Sequence, residues 1–290
     1  MSFALVLGAG GQAGEAFHRG VLRALHDVGL DARDAAVVVG TSAGSITAAS
    51  LRRHAPAWDV SALPRPTRRR LLPLRTRALE LVRRPRQVLN AFLLAPEFAT
   101  GRISSEFMRT GLAGRYAAWP KAPLWIVAVR RSDGRRVVFG KAGEPTADVP
   151  SAVAASCAIP GYFSPVEIDG TAYVDGGVHS PTNADLVADA GVDVVIVSAP
   201  MSVRLRGARP RLDLGLRLVF SAYLREEVWT LRRRRDTHVV TVEPDAMVLS
   251  AMGLNLMDGR RVHEVEERAY TLARHALRDL PLARALRRPA

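Results

Sequence analysis

Apolar residues in the first fifty positions fall into two kinds of run, and their alternation predicts strand, helix, strand, helix. Phe3-Ala4-Leu5-Val6-Leu7 is short, wholly apolar and closed by glycines, the pattern of a strand buried on both faces. From Gly14 to Val28 the apolar residues Phe17, Val21, Leu22 and Leu25 recur at helical spacing, with Gly29 placed to cap the end. Ala35 to Val39 is a second buried run, and Ser45 to Arg53 returns to helical character. Apolar strands joined by helices predict an α/β fold, a three-layer α/β/α arrangement around a mostly parallel central sheet.

The pattern changes near residue 56. Pro64, Pro66, Pro73 and Pro85 interrupt an arginine-dense stretch that includes Arg68-Arg69-Arg70, so a basic Pro/Arg-rich insertion is expected over about 56–110. Strand character resumes from Leu124 to Val129. It continues in Arg135 to Phe139 after the turn residues Ser132-Asp133-Gly134. Val194 to Val197 is a further buried strand. A second basic stretch, Arg204 to Arg235, surrounds Leu214, Leu216, Leu218, Val219 and Phe220. C-terminal amphipathic helices are expected over about 260–290. No internal repeat or long linker divides the chain, so residues 1–290 are expected to form one domain.

Charge narrows the partners. Forty-one Lys+Arg against 28 Asp+Glu give a net charge of +13, which suits peripheral association with an anionic membrane or a solvated arginine-rich surface. No nucleic-acid-binding motif accompanies it, so nucleic acid is not expected as a partner. The single cysteine, Cys157, excludes an intrachain disulfide; its small apolar neighbours predict a buried structural thiol. No cluster of ligands points to a metal, and no cofactor is expected. The N-terminus enters a strand at once, and no apolar run approaches the roughly 20 residues of a membrane span. A cytoplasmic protein, peripherally membrane-bound at most, is expected, and the sequence is silent on its oligomeric state.

Candidate chemistry lies in three glycine-marked turns. In Gly8-Ala9-Gly10-Gly11-Gln12-Ala13-Gly14, glycines between a strand and a helix let backbone N–H groups converge on an anion, either a pyrophosphate or an oxyanion. Gly40-Thr41-Ser42-Ala43-Gly44 has the G-x-S-x-G form after an apolar strand, a tight elbow that exposes a serine hydroxyl. A dinucleotide fold would instead end its second strand in an acidic residue. Read alone, the serine could also be a helix N-cap. Tyr173-Val174-Asp175-Gly176-Gly177 ends a short strand in an aspartate, which is either a turn residue or a base for the serine.

Together these segments resemble the patatin-like phospholipase family over most of the chain. Leu5-Val6-Leu7 with its glycine turn resembles the family's oxyanion-hole motif, and Gly40 to Gly44 its nucleophile elbow. Ala154 to Pro165, continuing to Asp175-Gly176-Gly177-Val178, resembles its longest shared block. The resemblance implies a Ser42–Asp175 dyad, an oxyanion hole at Gly10 and Gly11, and support from Gly8, Gly14, Gly40, Gly44, Gly176 and Gly177. It implies a lipid or acyl-ester substrate cleaved by a serine hydrolase through an acyl-enzyme. In one departure, Ala13 stands where the family usually has Arg or Lys; Arg19, on the same helix, is the candidate to supply that charge. Three alternatives stand beside the dyad. A triad would need His179, His238 or His263; a catalytically weakened member would bind acyl lipids or a membrane surface; and a dinucleotide-binding protein would use the first turn alone.

Overall fold

The computed structural model describes residues 1–53, 101, 103–116, 118–204, 211–233, 237–278 and 280. Most of the proline- and arginine-rich insertion, including Arg68-Arg69-Arg70, lies outside them, as does nearly all of the chain beyond Arg278. The strands are β1 Phe3–Leu7, β2 Val37–Thr41, β3 Leu124–Arg130, β4 Arg136–Phe139, β5 Val166–Ile168, β6 Thr171–Asp175, β7 Val194–Ser198 and β8 His238–Val242. The helices are α1 Gly11–Asp27, α2 Ala43–Arg52, α3 Glu106–Ala113, α4 Val149–Ser156, α5 Leu214–Arg233, α6 Ala246–Met252 and α7 Val262–Leu277.

The strands form one eight-stranded mixed sheet along the path β5-β6-β3-β2-β1-β7-β8, with β4 added to β3. Strands β3, β2, β1, β7 and β8 run parallel, and β4, β5 and β6 join by antiparallel ladders. The period-two alternation of β1 divides the core. Phe3, Leu5 and Leu7 face a cluster with Phe17, Leu25, Val265 and Ala269 from α1 and α7. Ala4 and Val6 face another with Leu224, Val228 and Leu231 from α5. Helices therefore cover both faces of the sheet, giving the expected three-layer α/β/α fold.

Helix α1 begins three residues before its expected start, and Gly29 takes the left-handed φ of 79° just beyond its end. The turn at 132–134 joins β3 to β4 as a hairpin. Where the second basic stretch is described, most of it is the long helix α5. Its Arg217 is 2% exposed and bonds Asp213 and the carbonyls of Pro200 and Ser202. Among the described residues no helix is long and apolar enough to cross a membrane.

One feature of the sheet sets the site. β4 occupies one edge of β3 from Ile126 to Val129. β2 and β6 must therefore share the opposite edge end to end, β2 against Leu124–Val127 and β6 against Ala128–Arg130. The two strands run toward each other and stop with Thr41 opposite Val127 and Asp175 opposite Ala128.

Candidate active site

β2 turns into α2 at Ser42, whose φ of 54° and ψ of −122° cost a non-glycine residue about 1–3 kcal/mol. Close packing holds that backbone. A Cβ on Gly44 would stand 1.9 Å from the Leu7 carbonyl oxygen, and one on Gly40 2.5 Å from the Ser45 Cα. Neither position admits a side chain. The Ser42 N–H donates to Ser156 Oγ at 2.9 Å, and the Ser45 hydroxyl donates to the Ser42 carbonyl at 2.7 Å.

Across the gap between β2 and β6, the Asp175 carboxylate accepts the Gly177 N–H at 2.7 Å and lies close enough to the Ser42 hydroxyl to be influenced by it. Both residues are only 4% exposed. Burial raises the Asp175 carboxyl to about 7, against the opposing pulls of Ser42 and the Gly177 N–H. Gly176 is fixed by closeness, because a Cβ there would meet the Val127 carbonyl oxygen at 2.4 Å.

The first glycine turn lies beside the elbow, with Gly11 and Ser42 lining the same cleft. The N–H groups of Gly8, Ala9, Ala13 and Gly14 go to the carbonyls of Ser198, Pro181, Leu256 and Gly10. Those of Gly10 and Gly11 have no acceptor among the described residues, which leaves them available to an anion. Gly10 is crowded by the Gly14 Cα and Pro200, and Gly11 has a φ of 59°. Beneath the turn lies buried His18. Its Nε2–H donates to the Gly8 carbonyl at 2.8 Å, so Nδ1, at 2.8 Å from Ser198 Oγ, accepts the serine hydroxyl. Burial lowers the His18 imidazole to about 4.

The cleft has Ile46, Met108, Cys157, Ile159, Phe163 and Met257 as apolar walls, with Gln12 and Glu15 also on its lining. Cys157 is buried as expected, yet it lies at the site. Its thiol contacts Ser42 and Ser45 and is pushed up first by burial, then by the Asp175 charge. Ala13 is buried in the core, and Arg19 does not replace the missing cation: its guanidinium binds Glu266 at 2.8 Å and Glu15 at 3.1 Å. His179, His238 and His263 do not line the cleft, and the groups acting on the Asp175 carboxyl are Ser42 and Gly177 rather than a histidine. Sequence reading missed Ser156, His18 and the buried Asn183. Each acts through a contact more than a hundred positions away in the chain, a distance at which no local spacing signals it.

The structure thus combines a three-layer α/β fold with a serine at a strand-to-helix elbow, a buried carboxylate and an apolar cleft. The family model for patatin-like phospholipases matches residues 5–188, and the chain belongs to that family. Among solved structures the chain is similar to VipD from Legionella pneumophila, at 12% identity and a TM-score of 0.47. That match covers 95% of this chain and 66% of VipD's.

Proposed function

We propose that the protein is a serine hydrolase that cleaves fatty-acyl esters of lipids, phospholipids included, through a Ser42–Asp175 dyad. The observation that carries this reading is the meeting of Ser42 and Asp175 beside an apolar cleft, with the carboxyl raised to about 7. A base with that affinity for protons accepts the Ser42 proton near neutrality far better than an ordinary aspartate. The freed Oγ attacks the ester carbonyl, and the Gly10 and Gly11 N–H groups receive the oxyanion, each contributing about 3 kcal/mol. Collapse expels the alcohol, which takes the proton from Asp175 and leaves an acyl-Ser42 ester. Water then attacks that ester as Asp175 takes its proton, and collapse returns that proton to the departing Ser42 Oγ, releasing the fatty acid and restoring both residues.

The same proposal takes residues 1–290 as one domain with a cytoplasmic location. Peripheral contact with anionic membrane is supported by the net charge of +13. No metal or cofactor enters the chemistry. A second reading, acyl-lipid binding with weakened turnover, draws on Ala13 and on the commitment of Arg19 to Glu15 and Glu266. Hydrolysis of a short-chain nitrophenyl ester separates the two. The dyad predicts turnover by the native protein and its loss, by about 10³-fold or more, in both Ser42→Ala and Asp175→Asn. Full activity in either variant would overturn the assignment.

A further inference from the structure

The turn after Asp175 returns to the elbow through a single side chain. Asn183 is fully buried and adopts a left-handed backbone, φ 54° and ψ 35°. Its Nδ2 donates to Thr41 Oγ1 at 3.1 Å and to the Ser180 carbonyl at 2.5 Å, with the Gly176 carbonyl at 3.5 Å. Thr41 is the residue before Ser42, and Gly176 is the residue after Asp175. One amide thus spans the gap where β2 and β6 end facing each other.

Its orientation is set from behind. Asn183 Oδ1 accepts from Arg136 Nη1 at 3.3 Å, and Arg136 grips both carboxylate oxygens of Asp185 at 2.7 Å. Flipping the amide would turn its NH₂ toward the guanidinium and its oxygen toward the Ser180 carbonyl, so the network admits one orientation. Glu227 of α5 anchors the same loop, accepting the Thr182 hydroxyl at 2.5 Å and the Ala184 N–H at 3.0 Å. None of these groups lines the cleft.

We infer that Asn183 is a positioning residue, a bracket between Thr41 and the Asp175 turn that sets the separation of Ser42 and Asp175. The inference rests on the dyad reading above. Arg136 and Asp185 orient the bracket, and Glu227 fixes the loop that carries it. Asn183 touches neither the substrate nor the reacting atoms, so its effect is on alignment, where displacements of about 1 Å are costly.

Two substitutions at Thr41 separate a hydrogen bond from packing. Thr41→Val keeps the shape and removes the acceptor, whereas Thr41→Ser keeps the acceptor and removes the methyl group. The bracket predicts that Thr41→Val lowers kcat on the order of 10- to 100-fold, with KM within about twofold, and that Thr41→Ser stays near the native rate. Asn183→Ala should match Thr41→Val, and the double variant should be no worse than Asn183→Ala. A ¹³C titration of the Asp175 carboxyl, followed in the uncatalysed protein, supplies a second readout. Groups facing that carboxyl are the Ser42 hydroxyl, the Gly177 N–H and the Cys157 thiol. Its midpoint should rise in Thr41→Val, as the Ser42 hydroxyl draws away from the carboxyl, and hold in Thr41→Ser. Native kcat and midpoint in Thr41→Val, or equal damage in Thr41→Ser, would overturn the inference. If the native protein hydrolyses no ester, the dyad reading falls by itself and the carboxyl midpoints decide on the bracket.

Discussion

Around Ser42 the chain is fixed by backbone against backbone, whereas around Asp175 it is fixed largely by side chains. The elbow's glycines pass within a few ångströms of the Leu7 carbonyl and the Ser45 Cα, and the strained φ of Ser42 is enforced by that contact. On the other side, the Asp175 turn is tied by Asn183, Arg136, Asp185 and Glu227, drawn from three separate segments. The two sides also titrate in opposite senses. His18, beneath the first glycine turn, is held neutral by burial, while Asp175 is held protonated up to about 7. A backbone-held turn fails at any one residue; a side-chain-held turn loses alignment before it loses its fold.

The largest effect should come from the backbone side. Gly44→Ala drives a Cβ to 1.9 Å from the Leu7 carbonyl oxygen, so we expect a loss of at least about 4 kcal/mol and no ester hydrolysis. Gly177→Ala meets the Asp175 Oδ1 at 3.0 Å and the Ala9 Cβ at an ordinary contact distance of 3.5 Å. It should cost about 1 kcal/mol while still lowering activity, because the neighbour that must shift is the carboxylate itself. Thermal melts and rates measured on both variants check the contrast. Equal melting temperatures would break it.

Asp175→Asn sharpens it further. The folded-state pKa of Asp175 is raised from 3.8 to about 7, so its contribution to stability is full below about 4 and is lost as pH rises through about 7. The asparagine variant should thus be inactive yet more stable than the native protein at pH 8, by on the order of 1–4 kcal/mol. That gain should shrink to nothing near pH 4. In the native enzyme the same titration should lower the rate about tenfold per pH unit below about 7.

His18 gives the smaller effect with the opposite slope. Its pKa falls from 6.5 unfolded to about 4 folded, so the unfolded chain binds the extra proton between those values. The stabilisation is present above about 6.5 and is lost as pH falls through about 4, on the order of 3 kcal/mol at most. His18→Gln, which keeps a donor for the Gly8 carbonyl, should flatten that slope. An unchanged dependence of melting temperature on pH would count against a buried neutral imidazole.

The same division explains what could be read in the sequence. β1, β2 and both glycine turns were legible because full burial selects unbroken Val, Leu and Ala runs, and tight backbone approaches select glycine. Asp175 was legible only through the Gly176-Gly177 pair and the family pattern around it. β8, although buried in part, was not expected, because it follows the arginine run and opens on exposed His238. Helix α5 was obscured by its arginines, one of which, Arg217, is buried against backbone carbonyls that no sequence pattern reveals. Arg19 was a candidate for the charge missing at Ala13, but Glu266 on α7, 247 positions away, binds it. The Asn183 network was silent for the same reason: its members are common polar residues whose meaning comes from contacts made only in the fold.

Labelling with a fluorophosphonate, followed by peptide mapping, tests the proposed dyad most directly, since the probe reports an activated hydroxyl without needing the natural substrate. Ser42 should be the residue modified in the native protein. Labelling should slow as pH drops below about 7 and should be absent in Asp175→Asn. Folded native protein left unlabelled, or labelled equally well in Asp175→Asn, would contradict the assignment of Ser42 as nucleophile and Asp175 as its base.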